Sequence, residues 1–177
     1  GSEMCIRDRY YNMFKEDLNK TVRNMMLQGR KGAFYSLTRV GKYTFAPYKV
    51  AFRNNTRWVA AVVSNTKVPW DDEKMYLFLD HACSVSQRED GSYITEDEAH
   101  YICAILNSTI VKNYIENSSD SRSFKTVFPI KIVKFDEGDI VHQRLVEISK
   151  KAHAKELIGK QLDVELDETM HNYLNKL

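Results

Sequence analysis

The spacing of apolar residues along this chain changes from a helical period to a strand period and back, an alternation that requires helices packed against a sheet. From about Arg9 to Leu27, the residues Tyr10, Met13, Phe14, Leu18, Val22, Met25 and Met26 recur at three- and four-residue steps. This predicts an amphipathic helix with a Met and aromatic stripe in the core, ended by Gly29 and Gly32. From Ala33 to Ser64 the period falls to two, with Tyr48, Val50, Phe52, Trp58, Val59, Val62 and Val63 favouring strands. Tyr48 to Arg53 and Arg57 to Ser64 flank Asn54-Asn55-Thr56, the pattern of a hairpin with a short polar turn.

A further strand is expected at Met75 to Leu79, then an exposed acidic turn at Gln87 to Ser92 around Gly91. Thr95-Glu96-Asp97-Glu98 has the capping-box arrangement, in which the Thr hydroxyl and the Glu carboxylate satisfy each other's backbone N–H groups. It opens a helix bearing Ala99, Ile102, Cys103 and Leu106. That stripe runs on through Asn107-Ser108 to Ile110, Val111, Tyr114 and Ile115, as two consecutive helices or one kinked helix. Asn117 to Ser123 reads as a polar loop, and Phe124 to Phe135 as a strand or extended segment that Pro129 places at an edge or bulge. Asp139 caps a helix with the stripe Val141, Leu145, Ile148 and Ala152, and Leu157 to Leu177 is a last amphipathic segment. The expected class is α+β, a small mixed or antiparallel sheet with packed helices and C-terminal amphipathic helices.

Charge is as unevenly placed as hydrophobicity. Between Leu18 and Trp70 there is no acidic residue, yet the window holds ten basic ones: Lys20, Arg23, Arg30, Lys31, Arg39, Lys42, Lys49, Arg53, Arg57 and Lys67. All 24 acidic residues lie outside it, so a net charge of +2 conceals a strongly polarised molecule. A field of one sign on that scale attracts phosphate. Tyr35, Tyr43, Tyr48, Trp58, Asn54 and Asn55 interleave with the basic residues and add groups able to read base edges, Arg pairing with guanine and Asn with adenine. Tyr48 and Trp58 fit a sheet core equally well, and Lys49 the sheet's far face. A second acid-free stretch, Ser121 to Lys134, carries Arg122, Lys125, Lys131 and Lys134 behind a serine-rich approach. The candidate DNA contacts are Arg39, Lys42, Arg53, Asn54, Asn55, Arg57, Arg122 and Lys125.

Other chemistry is sparse. No Gly-x-Gly occurs among the seven glycines, and Pro47, Pro69 and Pro129 stand apart, so neither a nucleotide-cofactor turn nor the Pro-Pro motif of amino-methylating DNA enzymes is present. The chain is expected to be non-catalytic and to hold no cofactor of its own. Asp71-Asp72-Glu73-Lys74 lacks the strand-separated spacing of a metal-dependent nuclease. His81-x-Cys83 and His100-x-x-Cys103 offer four possible zinc ligands, although Cys103 falls on the apolar helix face, where it serves as a small hydrophobe. No metal site is assigned. The three cysteines Cys5, Cys83 and Cys103 form no even framework, which points to a reducing cytoplasm. No apolar run approaches the roughly 20 residues of a membrane span, and no signal peptide is expected.

Phe34-Tyr35-Ser36-Leu37 followed by Val40 to Val50 resembles the target-recognition region of adenine-specific DNA methyltransferases, including fused restriction-and-modification enzymes with a TaqI-like C-terminal specificity domain. Trp58 to Ser64 resembles the paired strand of that region, Tyr101 to Ser108 its helix, Ile130 to Asp136 the extended approach to the next helix, and Ile148 to His153 that helix. The resemblance covers roughly residues 34–177 and implies a target-recognition-domain-like fold and a double-stranded DNA partner. It also implies a bacterial restriction-modification system, in which the parent protein's methyltransferase domain uses S-adenosylmethionine. Residues 1–9, a tag scar followed by what resembles adapter read-through, are set aside as an artefactual leader. The recognition domain is then expected at 10–154 and a helical segment at 155–177. The alternative reading is a protein–protein module docking an acidic partner through the basic face.

Overall fold

The computed structural model describes residues 12–17, 41–69, 71–78, 82–120, 124 and 130–176. Two compact units divide the chain at Gly41/Lys42. In the first, residues 12–17 are helical apart from a turn at Phe14, and the rest of the expected N-terminal helix lies outside the described residues. The second unit spans Lys42–Leu177.

This unit is α+β. Among the described residues, a 3₁₀ turn at Lys42–Phe45 is followed by five strands: β1 (Tyr48–Arg53), β2 (Ala60–Ser64), β3 (Thr66–Val68), β4 (Asp71–Lys74) and β5 (Ala82–Val85). Four helices follow: α1 (Glu96–Asn107), α2 (Thr109–Ser118), α3 (Ile140–His153) and α4 (Gly159–Leu174). The main sheet is antiparallel with order β2-β1-β5, and β3 pairs with β4 in a separate ribbon. In β1 the side chains of Val50 and Phe52 enter the core, while Lys49 and Arg53 take the opposite face, as a period of two demands.

Helix α1 lies between the sheet and α3, and its burial follows from that position. Ala99, Tyr101, Cys103, Ala104, Ile105 and Leu106 are all buried, so the helix is covered on nearly every side. Its start is the capping box read from the sequence: Glu98 N–H donates to Thr95 Oγ1 at 3.2 Å, and Thr95 N–H to Glu98 Oε2 at 2.7 Å. Arg88, from the turn containing Gly91, also pairs with Glu98. The helix stops at Ser108, whose extended backbone breaks the ladder and whose hydroxyl donates to the Ile105 carbonyl at 2.7 Å. Helix α2 starts at once, its Thr109 N–H satisfied by Asp167 of α4. Two consecutive helices are therefore formed.

Asp139 caps α3 by accepting from the Val141 and His142 N–H groups, and Lys176, just past α4, binds both oxygens of the same carboxylate at 2.8 Å. Two local expectations are corrected. The strand expected at Met75 to Leu79 forms instead at Asp71–Lys74, and residues 75–78 carry no ladder. The return strand of the hairpin begins at Ala60 rather than Arg57. Of the two forms expected for Phe124 to Phe135, a strand or an extended segment, residues 130–135 take the unpaired one; Phe124 is described, and 125–129 lie outside the described residues. No described helix is long and apolar enough to cross a membrane.

Candidate nucleic-acid interface

The β1–β2 connection, Asn54 to Val59, is the feature on which most of the sequence-derived contacts meet. Pairing ends at Phe52↔Ala60, with Arg53 N–H still reaching the Val59 carbonyl at 3.2 Å. Within the connection, Arg57 N–H donates to the Asn55 carbonyl at 2.7 Å, a three-residue turn. Its central residue, Thr56, has φ of 60°, which a β-branched side chain disfavours by about 1–2 kcal/mol. Arg53 holds that geometry by donating from Nη2 to Thr56 Oγ1 at 3.0 Å, while the Thr56 hydroxyl donates to the Asn55 carbonyl at 2.7 Å. Arg53, Thr56 and Arg57 are exposed, and Asn54 and Asn55 half-buried.

Trp58 is what makes the connection wide. Its ring is 2% exposed, packed against Phe52 and the edge of Phe124. Its Nε1–H donates to the Leu106 carbonyl at 2.7 Å, and its backbone N–H to Glu116 Oε1 at 3.0 Å. These bonds draw Trp58 onto α1 and α2 and away from the sheet ladder, leaving the polar residues before it as a raised loop. Phe124 N–H, beyond α2, donates to the Asn54 carbonyl, so Phe124 also touches this turn. The carboxylate of Glu116, on α2, is engaged by the Trp58 amide.

Arg53, Asn54, Asn55 and Arg57 are thus brought together, and Lys42 is not. Lys42 sits in the turn before β1, where its carbonyl accepts from the Tyr93 hydroxyl, and the loop lies at the other end of that strand. Arg39, Arg122 and Lys125 lie outside the described residues. Lys49 leaves the pool of available cations. It is 4% exposed, donates from Nζ to the Thr44 and Tyr76 carbonyls at 2.8 Å each, and lies over the Phe78 ring. Burial lowers its pKa. The alternation of β1 fits Lys49 on the far face, but nothing local in the sequence signals the two carbonyls that hold it there.

The possible zinc ligands divide differently. His81 lies outside the described residues, Cys83 is on β5, and His100 and Cys103 face α3. Cys103 accepts from Asn107 Nδ2 and interacts with Ser149, and burial pushes its thiol up to about 11, so it is a neutral thiol at neutral pH. The described residues contain no group of three His, Cys, Asp or Glu side chains arranged to hold a metal. Polar residues that fix the scaffold, Asn107, Ser149 and His153, were not singled out in the sequence; their signal is a polar side chain set into an apolar helical stripe. The chain matches no family model, no curated protein and no solved structure.

Proposed function

We propose that this chain is a sequence-specific double-stranded DNA-binding module that positions target DNA for the adenine-N6 methyltransferase domain of a parent protein, in a bacterial restriction-modification system. The observation that carries the reading is the Asn54 to Val59 loop, which follows Arg53 and lies within a window free of acidic residues, set between a strand end and the buried Trp58. Loops on rigid scaffolds are suited to read a groove. Arg53 and Arg57 supply phosphate or guanine contacts, and Asn54 and Asn55 supply carboxamides for adenine. The Asn55 Oδ1 is buried with no hydrogen-bond partner, so turning it outward toward a base breaks no bond. Lys42, Arg39, Arg122 and Lys125 add phosphate contacts on this reading. S-adenosylmethionine and base flipping belong to the parent's methyltransferase domain, and this chain contributes no catalytic group.

The test is selection of random duplex DNA by the intact chain at about 0.15 M salt, followed by sequencing of what is retained. A short enriched motif is expected. Arg53→Ala with Arg57→Ala should weaken binding to every sequence and reduce the salt slope by about 2 if both hold phosphates, whereas Asn55→Ala should alter preference at one position. No binding, or binding without enrichment and with equal losses from all three substitutions, overturns the reading.

A second reading draws on the other end of the sheet. The two carbonyls held by Lys49 bring the 3₁₀ turn against residues 75–78, and Tyr43, Phe45, Tyr76 and Leu77 are all exposed around them. On this reading the cluster serves as a protein-docking surface. Loss of a protein partner, with DNA binding intact, on Phe45→Ser and Leu77→Ser separates this reading from the first.

A further inference from the structure

Residues 130–135 form an extended segment with one edge used and the other open. Val133 bonds on one side only: its N–H donates to Tyr173 Oη at 3.1 Å, and its carbonyl accepts from Tyr101 Oη at 3.0 Å. In an extended chain the N–H and C=O of one residue share an edge, and those of its two neighbours take the opposite edge. The backbone groups of Ile132 and Lys134 therefore point away from the tyrosines, and among the described residues no hydrogen bond reaches them. An unpaired edge of this kind is a template for another strand.

The same two residues line a cavity of about 760 Å³, whose other walls include Phe52 of β1, Val85 of β5, Ile94, and Ile102 and Leu106 of α1. Its volume falls within the roughly 300–1,000 Å³ of ligand-sized sites. An occupant that covered these apolar walls would gain roughly 25 cal/mol for each Å² taken from water. Arg88 also lines the cavity, but its guanidinium is engaged by Glu98, the Ser92 hydroxyl and the Tyr93 carbonyl, so it is no anchor for a ligand. Lys131 and Lys134 are exposed on the segment, and among the described residues no ion pair holds either. Lys134 acts only at longer range on Asp90 of the turn across the mouth, whose carboxyl is held below its ordinary value first by the Ser92 hydroxyl and amide and then by the charges of Arg88 and Lys134.

We propose that the open edge at Ile132 and Lys134, together with the cavity beside it, docks an extended segment of a partner protein by strand addition. The partner's backbone pairs with the N–H and C=O groups of these two residues, and alternate apolar side chains enter the cavity. An acidic residue between them, left facing solvent, stands opposite Lys134 and supplies the cross-strand charge pair that the free ammoniums call for. A compact small molecule would fill the apolar walls but leave the row of backbone groups unused, so the edge is what selects a peptide. None of the residues Asn54 to Val59 lines the cavity, so docking here is a property separate from DNA binding.

The test is titration of the full chain with synthetic peptides of about six residues, the usual length of a strand, followed by proton–nitrogen NMR and amide exchange. The peptides carry valine, isoleucine, leucine or phenylalanine at alternate positions and glutamate between them. The Ile132 and Lys134 amides should shift and gain about tenfold protection, while the Val133 amide, already bonded, changes little. Methylating alternate amide nitrogens of the peptide should abolish binding in one phase, where the methyl groups meet the edge, and spare it in the other. Lys134→Pro deletes one unbonded N–H at an extended position that proline tolerates, so the fold is kept. It should bind about tenfold more weakly than Lys134→Ala, which loses the charge and keeps the amide. No binding by any of the peptides, binding by peptides methylated in both phases, or equal affinity of Lys134→Pro and Lys134→Ala would overturn the proposal.

Discussion

The side chain of Asn107 pairs with Ala60 as a neighbouring strand would, its Nδ2 donating to the Ala60 carbonyl at 2.8 Å and its Oδ1 accepting the Ala60 N–H at 3.0 Å. Val62, two residues on and facing the same way, is held by His153. The edge of β2 is thus closed by helix side chains, which join the last residues of α1 and α3 to the strand. Ala60 is 5% exposed, so water cannot readily replace Asn107. Asn107→Ala should cost about 2–4 kcal/mol in denaturant unfolding, because it leaves a buried donor and a buried acceptor. Asn107→Asp should cost more at neutral pH, where a carboxylate faces the Ala60 carbonyl, and approach or improve on Asn107→Ala in acid, where the protonated carboxyl regains a donor. A similar loss for both variants at every pH would contradict the two-bond arrangement.

His100 predicts the shape of acid unfolding. Its pKa lies at about 4 in the folded state against an ordinary 6.5, mainly because burial penalises the charged ring. The unfolded chain therefore binds the proton first as pH falls, and the stability gained from a neutral His100 is present above 6.5 and lost between 6.5 and about 4. The slope in that window should approach one proton. Asp139, held at about 2 by Lys176 and the helix amides, and Glu98, lowered against its burial by Arg88 and Thr95, act through the region below. His100→Asn, which keeps a polar atom toward Ser149, should reduce the slope between pH 6.5 and 4 and leave the lower region in place. Unfolding free energies measured across both windows check this; an unchanged upper slope would contradict it.

Features set by residues close in sequence were legible there. The Thr95 capping box, the Asp139 cap and the Gly91 turn each depend on a few neighbours, and each forms as read. The hairpin turn is longer than its local sequence suggests because Trp58 is drawn out of the ladder by Leu106 and Glu116, 48 and 58 residues away. Residues 75–78 look like a strand in their apolar pattern, but the Tyr76 carbonyl is taken by the Lys49 ammonium. At the candidate site, Arg53, Asn54, Asn55 and Arg57 stay together because they are contiguous, whereas a strand separates them from Lys42. Charge counting could not tell exposed Arg57 from buried Lys49, since which cation is enclosed depends on chain that folds back from elsewhere.

The extended residues 130–135 have no strand partner, and two tyrosines take its place. Tyr173 Oη accepts the Val133 N–H at 3.1 Å, Tyr101 Oη donates to the Val133 carbonyl at 3.0 Å, and the hydroxyls lie 3.1 Å apart. One proton arrangement satisfies the set: Tyr101 donates to the carbonyl, and Tyr173 donates to Tyr101 while accepting from the amide. Both phenols must keep their protons. Burial and the Tyr173 hydroxyl raise the Tyr101 pKa, so the unfolded chain loses that proton first as pH rises. The contribution is present below the ordinary tyrosine pKa of about 10 and is lost above it. Tyr173→Phe strands the Val133 N–H and should cost about 1–3 kcal/mol; Tyr101→Phe strands the carbonyl, costs a similar amount, and weakens the alkaline fall in stability. Because the two hydroxyls share a bond, the double variant should cost less than the sum of the single ones. Denaturant unfolding of the three variants at pH 7 and above pH 10 measures both effects, and strict additivity with an unchanged alkaline limb would show that the hydroxyls act separately.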